Sequence, residues 1–143
     1  MKVTTILDSS REEEIVIYAR ERNELIEKIE QLVSPKTAEL VGFSGDSATI
    51  LDFVKVTRFT VENGKVYAVV GENRYQIRRR LYQLEQQTPS CFVKINQSCL
   101  ANIKHIVRFE AIFTGSLQVV FKNGDIDYVS RRNLKQIKER FGL

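Results

Sequence analysis

Two periodicities divide this chain. Between residues 21 and 33 the apolar positions Leu25, Ile26, Ile29, Leu32 and Val33 recur at i, i+1, i+4, i+7 and i+8. That spacing lines one face of a helix, and Glu24, Glu27, Lys28 and Glu30 fall on the other. Ser34-Pro35 ends the helix, because proline drives its predecessor out of helical backbone. Upstream, Met1–Leu7 and Ile15–Ala19 read as short strands on either side of the acidic stretch Glu12–Glu14, so residues 1–37 form a small β-β-α segment with Ser34–Thr37 as linker. From Ala38 onward period two dominates. Strands are expected at 38–43, 48–51, 53–61, 65–70, 74–77, 92–95, 106–113, 116–121 and 125–129. Asn63-Gly64 and Asn123-Gly124 each sit between β-prone runs and predict two-residue type I′ hairpins, while Gly71-Glu72-Asn73 and Thr114-Gly115 mark further turns. Two helices interrupt the strands, at about 78–87 with Leu81 and Leu84, ending before Pro89, and at about 131–141 with Leu134, Ile137 and Phe141. The fold class is therefore mainly β (α+β), with a 38–143 domain behind the 1–37 segment.

Charge changes the picture once it is located. The net of +4 over 143 residues separates into −4 for residues 1–63 and +8 for residues 64–143. A polyanion-binding face uses such a split, because clustered Lys and Arg displace counterions from phosphates. The apolar fraction, 43%, suffices for a core. No apolar run is long enough to span a bilayer and the N-terminus carries no secretory signal, so a cytoplasmic protein is expected, with Cys91 and Cys99 as reduced thiols.

Catalytic chemistry has few places to reside. The single histidine, His105, reads as a strand-end side chain, and Asp125 and Asp127 as solvated charges beside a turn. There is no glycine-rich phosphate loop and no metal-ligand spacing. The expectation is a non-enzyme with no cofactor, no metal and no small-molecule substrate.

Three basic or polar places stand out. Ser130 is placed to cap the last helix, which puts Arg131 and Arg132 in its first turn. Cations there oppose the helix dipole by roughly 0.3–1 kcal/mol each, a conflict that an incoming phosphate removes. The strand with Lys94 runs into the corner Asn96-Gln97-Ser98, side chains able to bond base edges or phosphates. The third place is Arg78-Arg79-Arg80 with Lys65 and Arg74 upstream. Successive side chains diverge, so at most two of the three arginines share a face, and a solvated helix start accounts for them.

Taken in order, FVKINQSCLANIKHI at 92–106, RFEAIFTGSLQVVFKNG at 108–124, FKNGDIDYVSRRNLKQIKERFGL at 121–143 and the lead-in VENGKVYAVVGENRYQIRRRLYQLEQQ at 61–87 resemble the LytTR family of bacterial DNA-binding domains across residues 43–143. The resemblance implies an elongated antiparallel β-sandwich of three sheets. It implies contact with double-stranded DNA through loops entering successive major grooves. On this sequence those loops are the Asn63-Gly64-Lys65 turn, the Asn96-Gln97-Ser98 corner and Arg131-Arg132, with base reading falling on Arg132. The corner departs from the family habit of a leading His. The residues before the domain are too few for a phosphorylatable receiver, which is similar to stand-alone regulators held in check by a small membrane inhibitor protein. The resemblance also implies a homodimer on tandem half-sites. Two other readings compete with transcriptional control through duplex DNA. One is a protein-interaction module working through the acidic N-terminal helix. The other is single-stranded nucleic-acid binding on a β surface, which calls for exposed aromatic rings.

Overall fold

Side chains alternate across a pleated strand, and most of the architecture follows from where that alternation holds and where it fails. The computed structural model describes residues 2–33, 39–113 and 115–143, and the chain divides into two units, residues 1–37 and 38–143.

In the first unit, α1 spans Glu24–Val33. Asn23 caps it, its Oδ1 accepting the Ile26 N–H at 3.1 Å, so the helix begins later than periodicity alone suggests. Ile26 is buried while Leu25 and Leu32 stay exposed. The two strands expected at Met1–Leu7 and Ile15–Ala19 are not formed: residues 2–23 carry no strand, and Val3, Ile6, Leu7, Ile15 and Val16 are exposed. A strand needs a partner to take its backbone groups, and β-propensity without one is not enough. Met1, the linker Ser34–Thr37 and Thr114 of the Thr114-Gly115 turn lie outside the described residues.

The second unit contains β1 (Leu40–Ser44), β2 (Ser47–Leu51), β3 (Arg58–Glu62), β4 (Lys65–Val70), β5 (Asn73–Ile77), α2 (Leu81–Gln87), β6 (Phe92–Asn96), β7 (Cys99–Asn102), β8 (Ile106–Ala111), β9 (Leu117–Phe121), β10 (Ile126–Val129) and α3 (Arg131–Phe141). Among the described residues the strands form two sheets, one of seven in the order β2-β1-β5-β4-β3-β7-β6 and one of three in the order β10-β9-β8, all pairs antiparallel. Three sheets become two because the β1–β2 hairpin touches the β5 edge through the single pair Phe43↔Gln76. Gly42 permits that approach. A Cβ there would lie 2.5 Å from the Tyr75 Cβ and 2.7 Å from Leu51 Cδ1.

The large sheet is covered on both faces, by different partners. Phe59, Ala68, Val66, Ile77 and Leu100 pack on one face with Leu81 and Leu84 of α2 and the Phe53–Phe59–Phe92 ring cluster. On the other face Val93, Ile95, Cys99 and Ala101 of β6 and β7 meet Val119 and Phe121 of the small sheet and Ile137 of α3, and Arg58 of β3 lies against the Phe121 ring. Strand β7 is thus buried on both faces, which removes the alternation that would have announced it. Two expected boundaries also shift. Phe53–Lys55 is a 3-10 turn leading into β3, with Asp52 Oδ1 accepting the Val54 N–H. Arg78–Arg80 precede α2 in non-helical conformation, because Gln83 Oε1 takes the Arg80 N–H and starts the helix at Leu81. Asn63-Gly64 has positive φ at both residues, 51° and 75°, as a type I′ turn requires. At Asn123-Gly124 only the glycine does. The Gly124 N–H reaches Phe121 O and the Phe121 N–H reaches Asp125 O, which makes a longer, bulged hairpin.

Candidate nucleic-acid interface

Antiparallel register decides which turns share an end of the sheet. The end of β5 lies beside the start of β4 (Ile77↔Val66), and the end of β3 beside the start of β7 (Thr60↔Cys99). The Val61 N–H reaches Ser98 O at 2.9 Å, joining the β3–β4 turn to the β6–β7 corner. The Ser130 N–H reaches Ile95 O at 2.9 Å, bringing the start of α3 to the end of β6. Arg78–Arg80, Asn63-Gly64-Lys65, Gln97-Ser98 and Ser130–Arg132 therefore lie in one row along one end of the large sheet.

The side chains in that row have different fates. Asn63, Lys65, Gln97, Arg131 and Arg132 are exposed, and none of their side chains bonds another described residue. Lys94 is half-buried in β6. Ser98 is exposed and uses its backbone, the N–H donating to Asn96 Oδ1 at 2.8 Å. Ser130 occupies the capping position of α3, but its hydroxyl accepts from Asn133 Nδ2 at 2.9 Å and caps no amide. The first amides of α3 are left without a capping side chain, beside two guanidinium groups that pair with no acid among the described residues.

Asn96 is not a surface group. It is 2% exposed, and its Nδ2 donates to Asp127 Oδ1 (2.9 Å) and Tyr128 O (2.8 Å) while its Oδ1 accepts from Ser98. No edge is left for a base. The carboxamide instead sets the corner, aided by a bulge between Lys94 and Asn96 that accommodates a two-residue loop lacking positive φ. Asp127 is likewise no solvated charge. Its Oδ2 accepts from Arg58 Nη1 at 2.9 Å, and Asp125 lies 3.4 Å from Arg58 Nη2. Burial disfavours the Arg58 charge, but Cys99, Asp127 and Asp125 outweigh it and leave the guanidinium pKa raised. Burial pushes the Cys99 thiol well up, with the Asp127 charge adding to it, so this cysteine is no nucleophile. His105 bonds Val54 O through Nε2 at 2.7 Å, at the opposite end of the sheet. Sequence reading missed the Arg58–Asp127–Asn96 network; the i, i+2 pair Asp125/Asp127 on a strand was its only trace. Among the described residues no group of three His, Cys, Asp or Glu is placed to hold a metal, and no helix is long and apolar enough to cross a membrane.

The LytTr DNA-binding domain model matches residues 46–142, which includes the whole row. The chain belongs to the LytTr DNA-binding domain family. Relatives at 30% identity over the full chain, covering 99% of their own length, include uncharacterized HTH-type transcriptional regulators of Staphylococcus aureus strains NCTC 8325 and COL. The chain is also similar in fold to the LytTr DNA-binding domain of a putative methyl-accepting/DNA response regulator from Bacillus cereus, with TM-score 0.70 at 18% identity, over 75% of this chain and 99% of that one. As in that LytTr domain, the fold is mostly β; α2 and α3 are separated by β6–β10.

Proposed function

We propose that this LytTR protein is a sequence-specific double-stranded DNA-binding regulator of transcription that enters major grooves through the loops along its basic end. The observation that carries the reading is the single row made by the Ser98–Val61 and Ser130–Ile95 backbone bonds, a row of exposed cationic and amide side chains without acid partners among the described residues. Arg132 reads a base, because a guanidinium held at a rigid helix start can pair bidentately with guanine. Arg131 neutralises phosphate beside the open amides of α3. Gln97, Ser98, Asn63 and Lys65 make loop contacts, Lys94 contributes its charge from the flank, and Asn96 acts by holding the corner in place. The protein works in the cytoplasm, without cofactor and without catalysis.

Fluorescence anisotropy on a duplex from the promoter of its own operon, against a shuffled duplex of equal composition, tests this. Tighter binding to the promoter duplex, with a steep loss of affinity as salt rises, is expected, since several phosphates are neutralised at once. Equal affinity for both duplexes would overturn sequence specificity.

The exposed apolar side chains Leu25 and Leu32 of α1, with Ile6, Leu7 and Val16, favour a second role for residues 1–37. They dimerise the protein on tandem half-sites, and the same surface receives the small membrane inhibitor. Sedimentation of residues 38–143 against the full chain tests this: the shorter form stays monomeric, and a dimer of unchanged strength would exclude the role.

A further inference from the structure

Arginines 78 to 80 enter the row from the side of the sheet farthest from α3, and the three do different things. Arg79 is half-buried and turns inward, its Nη1 donating to Gln87 Oε1 at 2.7 Å and its Nη2 to Glu39 O at 3.3 Å. Arg78 and Arg80, two residues apart, are exposed, and neither guanidinium meets an acid among the described residues. The Arg78 guanidinium lies 3.9 Å from the centroid of the Phe43 ring. A guanidinium stacked in this way keeps its N–H fork free in the ring plane and has already lost part of its rotamer freedom. Glu62, at the end of β3, is occupied by Arg74. Lys65 completes the patch: with Arg78, Arg80 and Gln83 it lines an open groove beside Gly64.

Distance says what such a patch meets. From the end of β5 to the end of β6 there are four strand spacings in the order β5-β4-β3-β7-β6. At about 4.8 Å each that is roughly 19 Å, against a major-groove width of about 12 Å. A duplex seated on the corner and the α3 start therefore offers the β5 end a sugar–phosphate strand bordering the groove, and no base edge.

We propose that Arg78 and Arg80, with Lys65, form a phosphate clamp for duplex DNA flanking the base-reading loops, an inference that rests on the duplex-binding reading above. The clamp adds affinity and salt sensitivity and leaves sequence discrimination untouched.

The experiment compares the full-length chain with the double variant Arg78→Gln/Arg80→Gln. A second double variant, Lys55→Gln/Lys122→Gln, removes the same charge at the opposite end of the sheet. The probes are a duplex enriched from a random pool by the wild-type protein and its shuffled counterpart, across a salt series and with the enriched duplex trimmed stepwise from either end. The Arg78/Arg80 variant is expected to bind both duplexes 10- to 100-fold more weakly, with a salt slope smaller by about 1.8 and the affinity ratio between duplexes unchanged. Trimming one flank should weaken the wild type and not this variant. The Lys55/Lys122 variant should retain the wild-type slope. An Arg78/Arg80 variant with wild-type slope and flank dependence, or equal losses in the two double variants, would overturn the clamp. A wild-type protein that does not separate enriched from shuffled duplex would instead overturn the base-reading site, while the slope comparison still decides whether Arg78 and Arg80 meet phosphate.

Discussion

The dipeptide Asn-Gly occurs twice, at the β3–β4 turn of the large sheet and at the β9–β10 turn of the small sheet, where Asn123 reaches across to the far end of the large one, and the two copies behave differently. At the far end, Asn123 donates to Gly71 O at 3.0 Å and accepts from the Asp125 N–H at 3.0 Å. Its neighbours there are bonded inward too: His105 to Val54 O, Asp52 to the Val54 N–H, Asn102 to the Lys104 N–H. At the basic end, Asn63 bonds no described residue, and Lys65, Gln97, Arg131 and Arg132 are equally uncommitted. One end spends its polar groups on holding the β5–β4 and β9–β10 turns together. The other keeps them outward, and a single buried network underneath does the holding. Polar groups directed at solvent by a rigid frame are what a surface contact with a polyanion needs; polar groups directed at the backbone are what a stable turn needs.

The contrast breaks most severely if the buried network is removed. Asp127→Ala leaves the buried Arg58 with only its longer contact to Asp125 and strips Asn96 of an acceptor, so a stability loss on the order of 3 kcal/mol is expected in urea denaturation. A loss under about 1 kcal/mol would mean that Asp127 is no more than a surface charge. Next comes the reading arginine. Arg132→Ala should reduce discrimination between promoter and shuffled duplex by about 1–3 kcal/mol, seen as convergence of the two anisotropy curves. Arg131→Ala should weaken both duplexes alike and lower the salt slope by about 0.9; a selective loss on the promoter duplex would reverse the roles of these neighbours. Glycine at each asparagine sharpens the comparison further, since glycine tolerates either backbone. Asn123→Gly should cost about 1 kcal/mol of stability through its lost hydrogen bonds. Asn63→Gly should stay within about 0.5 kcal/mol in stability while weakening DNA binding. Smallest is a chemical difference: native alkylation should modify the half-buried Cys91 and spare the buried, protonated Cys99.

Legibility in sequence followed burial. Strands β3 and β5 and helices α2 and α3 were visible because one face of each is apolar and the other is not; β4 and β9 were visible from their β-prone runs between turns, although Val69 and Val120 are buried on the second face. Strand β7 was hidden since Leu100 faces one core and Cys99 and Ala101 the other. The N-terminal strands failed for the opposite reason: Val3 to Leu7 and Ile15 to Ile17 are β-prone, but no sheet lies there to accept them. In the candidate interface, the capping position of Ser130 and the corner at 96–98 could be located from residue types. That Asn96 faces inward could not, because its partners Asp127 and Tyr128 lie about 30 residues away along the chain.

By itself the sequence determined the places of the Asn-Gly turns, the helical stripes, the concentration of cationic charge after residue 63 and the family, all properties written in neighbouring residues. The tertiary structure alone decided that four separated basic or polar segments stand in one row, that one arginine of Arg78–Arg80 turns in while two turn out, and that Arg58 and Asp127 are buried together. The physical reason is that register between strands distant in sequence sets which turns share an end, and burial sets which polar groups must find partners inside.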